Sequence, residues 1–123
     1  MRDASQLGAI SLQLTRRAEE LREQIRAKLG EAADVAIATD HQWSDAGAAF
    51  AEAGVEYAEA QRDIVELHTI LRVLPRIEEG NYGICVDCGG AIPAARLAAQ
   101  PATLTCIGCQ SARERRGQVS AAA

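Results

Sequence analysis

Large side chains are scarce in this chain of 123 residues: aromatics make up 3%, as one Trp, one Phe and two Tyr. A thick globular core is therefore not expected. The abundant alanine favours helix while adding little core volume, which points to a thin helical architecture. No apolar run approaches the ~18 residues that a membrane span needs. No apolar stretch of the secretory kind follows Met1-Arg2-Asp3-Ala4, and the expectation is a cytoplasmic protein without a membrane role. There are only four cysteines, and in a reducing compartment these read as metal ligands before disulfides. Positive charge is missing from Leu29 to Gln61, where Glu31, Asp34, Asp40, Asp45, Glu52, Glu56 and Glu59 are all acidic. A nucleic-acid backbone would repel that stretch. It suits a basic or metal-bearing protein partner, or it is a plain solvated helix face. No nucleophile–base pairing, phosphate loop or open metal site is recognisable, so no enzyme is expected.

What is present is helical periodicity. Leu7, Ile10, Leu14, Ala18, Leu21, Ile25 and Leu29 recur in steps of three and four along one stripe of a first helix starting near Asp3 or Ser5. Gly30 ends this helix, or the apolar pattern of Ala33, Val35, Ala36 and Ile37 carries it further. In a second helix, Phe50, Ala53, Tyr57, Ala60, Ile64, Leu67, Leu71 and Leu74 form a seam of heptad type. Thr39-x-x-Gln42 is one candidate cap for it, and Ser44 or Asp45 a later one. Pro75 is expected to bend or end it near Leu74. The two stripes pair as an antiparallel hairpin over residues 1–79. Folding about His41 brings Leu71 near Ser11, with arms of ~35 residues or roughly 50 Å and a tip near 38–47. An intermolecular coiled coil is the alternative pairing. Trp43 would lie near the tip, as a cap packed across the turn or as an anchor for a partner.

The remaining third carries the most specific signal. Cys85 and Cys88, then seventeen residues, then Cys106 and Cys109 have the spacing of a structural zinc site, in which four thiolates close a tetrahedral sphere. The segment between the pairs has few large residues, so metal binding must supply its folding free energy. Residues 80–117 form this module. Its last helix is expected from Ile107 to Arg116 with Gly117 as the stop, and 118–123 as a flexible tail. His41 and His68 lie far in sequence from the cysteines, and His68, beside the heptad seam, reads as a helix-surface or seam-flanking residue rather than a ligand.

The run Gly80-Asn81-Tyr82-Gly83-Ile84-Cys85-Val86-Asp87-Cys88-Gly89, followed by Ile92, Arg96-Leu97, Pro101 and Cys106-Ile107-Gly108-Cys109, resembles the DksA/TraR family of four-cysteine zinc finger proteins. The resemblance covers about Glu78 to Glu114. It implies a mainly α fold: a long antiparallel coiled-coil hairpin, then the zinc module and a short C-terminal helix. It also implies a transcription regulator that binds bacterial RNA polymerase through its secondary channel, with acids at the hairpin tip near the active site. The family's tip pattern Asp-x-x-Asp-x-Ala falls on Gln42, Asp45 and Gly47, which makes Asp45 the implied tip acid and Asp40 a second candidate. Basic positions used for a partner or the alarmone ppGpp correspond to Arg62 and Arg96. Gln100 and Gln110 replace two others, so strong ppGpp binding is not expected. The resemblance implies no sequence-specific DNA binding, and the pairing of the two stripes within one chain makes a monomer the expectation. Two other readings fit the residues alone: a zinc-ribbon nucleic-acid binder using Arg96, Arg113, Arg115 and Arg116, or a coiled-coil adaptor.

Overall fold

The structure is a computed structural model that describes residues 4–38 and 55–122, with side chains described for 4–38 and 58–116. Helix α1 runs Ala4–Leu29, a 3-10 turn follows at Gly30–Ala32, and α2 is the short helix Ala33–Ala38. Helix α3 runs Val55–Glu78, α4 runs Ala94–Ala99 and α5 runs Ile107–Ala122. No strand forms among the described residues, only an antiparallel bridge between Ile84 and Ala91.

Helices α1 and α3 pack side by side and antiparallel. Their lengths of 26 and 24 residues correspond to about 39 and 36 Å. The α1 stripe is the expected one: Leu14, Ala18, Leu21 and Ile25 are buried, and Ile10 and Leu29 pack partly buried around them. Against it lie Ala60, Ile64, Leu67, Ile70 and Val73 of α3. The heptad reading therefore holds from Ala60 to Leu67 and then fails by one position. Ile70 is fully buried where Leu71, expected in the seam, is 37% exposed. The buried positions from Ala60 step 4, 3, 3 and 3, so the buried face turns back toward Ile70 and Val73 at the end of the core against which Tyr82, Ala102 and Leu104 also pack.

Ion pairs flank the seam and fix the antiparallel register. Arg17 grips Glu66 with two donors, Nε to Oε2 at 2.6 Å and Nη2 to Oε1 at 3.0 Å. Lys28 Nζ donates to Asp63 Oδ2 at 2.6 Å. These charges sit beside the buried stripe, so they select the pairing more than they add to its stability.

Gly30 ends α1. Its φ of +57° lies in the left-handed region, which breaks the helical hydrogen-bond ladder. The chain then folds back. Lys28 lies level with Asp63, yet the Ile37 carbonyl, nine residues later, lies 2.5 Å from His68 Nε2, further along α3. Ala33 and Ala36 are small enough to bury in the same core. Of the expected tip near 38–47, only Ala38 is described; His41, Trp43 and the rest lie outside the described residues. The seam positions Phe50 and Ala53 and the Tyr57 side chain do too.

Of the two outcomes expected at Pro75, a bend or an end near Leu74, the end does not occur. Helix α3 continues through Pro75 to Glu78. Proline removes one donor, here within a turn of the helix end, and Ile77, packed on the core, holds the remaining residues. The helix closes in a Schellman arrangement: Asn81 N–H donates to Arg76 O at 2.8 Å and Gly80 N–H to Ile77 O at 3.2 Å. Arg76 Nη2 then reaches the Ile84 carbonyl at 2.9 Å, which ties the helix end to the next module.

That module packs on the helical pair through Tyr82, Ala102 and Leu104. Tyr82 touches both cores and donates its hydroxyl to Pro101 O at 3.0 Å. Its last helix is longer than expected. Gly117 does not stop α5, which continues to Ala122; a single glycine costs a helix only ~1 kcal/mol relative to alanine.

Candidate metal centre

Two unlike segments present the four cysteines. Cys85 and Cys88 sit on a tight ribbon. Cys85 N–H donates to Gly90 O at 2.8 Å, Gly89 N–H to Cys85 O at 3.0 Å, and Ile92 N–H to Gly83 O at 2.7 Å. Cys106 immediately precedes α5, and its carbonyl accepts the helical bond from Gln110 N–H at 3.0 Å. Cys109 follows in the first turn. The N-terminal end of a helix favours negative charge, so thiolates are well placed there.

All four Sγ atoms lie within 4.8 Å of one another, and Cys88 and Cys106 are 4.0 Å apart. A tetrahedral Zn–S4 centre with bonds of ~2.3 Å needs sulfurs ~3.8 Å apart, so the cluster closes on zinc with small adjustments. Cys85 is buried and Cys88 exposed, with the other two between. The backbone N–H groups of Cys106 and Cys88 push the Cys85 thiol down to about 6. The Cys109 thiol is pushed up to about 12 because it shares hydrogen bonds with Cys106 and Cys85 in the crowded cluster. Zinc takes these sulfurs as thiolates, so metal binding is coupled to release of protons. This is a structural site for one zinc: four thiolates fill the sphere and leave no position for water.

A small apolar core of Cys85, Ile92 and Leu97 supports the sulfurs, with Tyr82, Cys106 and Cys109 packed against it. Polar contacts extend it. Arg113 Nε and Nη2 each lie 2.6 Å from an oxygen of Asp87, and the Arg113 guanidinium holds that carboxyl below its usual range. Arg96 turns inward from α4: Nε donates to Thr105 O at 3.0 Å, and Nη2 donates to Gln110 Oε1. Thr105 precedes Cys106 and Gln110 follows Cys109, so Arg96 brackets the second cysteine pair.

The structure therefore brings together Cys85, Cys88, Cys106 and Cys109 as expected. Arg62 is exposed on α3, and Arg96 spends its donors inside the module. Asp40 and Asp45 lie outside the described residues. His68 is half-buried beside the seam, the flanking position the sequence allowed for, with its ring at the Ile37 carbonyl. A groove of about 1150 Å³ separates the α1–α3 face from the loop that enters the second cysteine pair, and Gln100 and Gln110 line it beside Arg16 and Arg72. The Asp87–Arg113 pair was not read from the sequence. The signal for it was a basic residue one helical turn after Cys109.

Comparison with known proteins agrees with this geometry. Residues 80–115 match the model of the prokaryotic dksA/traR C4-type zinc finger. An uncharacterized protein of Aquifex aeolicus (strain VF5) is 45% identical over 53 residues, which is 43% of this chain and 37% of that protein. The chain thus matches little more than a third of that relative's length. The solved structure of transcription factor DksA2 from Pseudomonas aeruginosa shares the fold, with a TM-score of 0.60 over 94% of this chain and 88% of that one, at 24% identity.

Proposed function

We propose, for a chain that carries a DksA/TraR-family zinc finger, the role of a DksA-like transcription factor that binds bacterial RNA polymerase. In this reading the helical hairpin enters the secondary channel, and its acidic segment approaches the active site and alters transcription initiation. The observation that carries the proposal is the match of residues 80–115 on a module docked at one end of an antiparallel helix pair.

Charge supports it. The stretch without Lys or Arg begins at the end of α1, remote from the zinc module, where Glu31, Asp34 and Glu59 already lie. Acids there suit a site built around catalytic magnesium and basic polymerase side chains. Asp45 is the proposed tip acid and Asp40 a second. The α3 seam is covered by α1 of the same chain, which favours a monomer over an adaptor that dimerises through that seam. Arg96 is committed to Thr105 and Gln110, and Gln100 and Gln110 are uncharged, so ppGpp binding through these positions is proposed to be weak.

The test is competition. The zinc-loaded protein should displace a known secondary-channel factor from core RNA polymerase. Absence of binding under conditions where that factor binds would remove the proposal and leave a zinc module of other purpose.

A further inference from the structure

The zinc site is assembled from two segments that hold nothing in common until the fold brings them together. One is the ribbon with Cys85 and Cys88. The other is the start of α5 with Cys106 and Cys109. Arg96 ties down the second segment by its two flanking residues. The first has its own tie, and it runs straight to the helix that carries the fourth cysteine. Asp87 lies inside the first Cys-x-x-Cys turn. Arg113 lies four residues after Cys109, hence on the same face of α5, one turn on. Their two parallel bonds of 2.6 Å are the fork geometry in which guanidinium and carboxylate fix each other's orientation as well as their distance.

We propose that Asp87 and Arg113 are positioning residues for the zinc site, a clasp that holds the first cysteine pair against α5 and sets how long the ion is retained. A Zn2+ ion with four thiolates is net negative, so the Arg113 cation offsets charge there while its fork holds the turn. The ion leaves when one cysteine pair swings away from the other, and the clasp spans that opening. Asp87 is 28% exposed and Arg113 45%, so water screens the pair. Its effect therefore falls on metal retention, with little on the melting of the loaded protein.

The experiment follows zinc transfer from the full-length loaded protein to an excess of the chelating dye 4-(2-pyridylazo)resorcinol. Asp87→Ala and Arg113→Ala should each release zinc ~10–100-fold faster, the range typical when a residue supporting metal ligands is removed. Arg113→Lys, which keeps the charge and loses the fork, should fall between. The exchanged pair Asp87→Arg with Arg113→Asp should recover part of the retention. Circular dichroism of the loaded variants should match the parent, and cobalt(II)-loaded variants should keep the absorption of four-thiolate coordination. Parental release rates in the folded single variants would overturn the proposal. So would an exchanged pair that releases zinc faster than both single variants. If a variant does not load zinc, salt decides on the parent protein: release that quickens with ionic strength supports the clasp, and release indifferent to salt overturns it.

Discussion

Gly83 has a φ of +87°, and a Cβ built on it would stand 3.3 Å from Leu97 Cδ1. The backbone demands glycine there, because the ribbon turns tightly where it meets the apolar floor under Cys85, and Leu97 would also have to give by a few tenths of an ångström. Gly83→Ala should lower stability by more than about 1 kcal/mol. Thermal melting of the zinc-loaded protein checks this, and an unchanged melting temperature would contradict the packing described. At this scale the metal ligands were legible from the sequence, because four thiolates at such spacing have few other uses. The direction in which Arg96 points was not. An arginine beside a cysteine module reads equally well as a ligand for phosphate or as an internal brace, and only the nearby Thr105 carbonyl and Gln110 side chain decide it.

The helices show where periodicity stops being informative. The α1 stripe is as the sequence reads, because its steps of three and four already average near 3.6. In α3 the strict heptad places Leu71 inside, whereas the helix buries Ile70. Ile70→Ala should therefore cost about 2–5 kcal/mol and Leu71→Ala about 1 kcal/mol or less. Denaturant unfolding of the two variants side by side checks the register, and the reverse order would restore the heptad seam. Gly30 is the second case. The apolar residues after it fit a helix that continues and a helix that folds back equally well. What decides is burial of Ala33 and Ala36 in the α1–α3 core, a long-range contact that no local pattern announces. Pro75 is the third: its effect depends on distance from the helix end, and so close to that end Ile77 packing outweighs the one lost donor.

As a whole the molecule has two cores of different origin. The α1–α3 pair buries Leu21, Ile25, Ile64 and Leu67 without help from a metal. The module beyond Gly80 buries only Cys85, Ile92 and Leu97 as its own apolar centre and depends on zinc to hold them. Chelation should thus remove amide-exchange protection from residues 83–110 while α1 and the middle of α3 keep theirs. Simultaneous loss of both would mean that the metal organises the entire chain. This division also suits the proposed role, in which a helical arm reaches into polymerase and a metal-stiffened module seats it outside.

The most direct test of that role is the lifetime of a promoter complex formed by bacterial RNA polymerase, measured with and without the zinc-loaded protein and with Asp45→Asn beside it. The account predicts that the parent protein changes the lifetime and that Asp45→Asn binds polymerase but changes it much less. A lifetime unaffected by the parent protein at concentrations that saturate polymerase would contradict it.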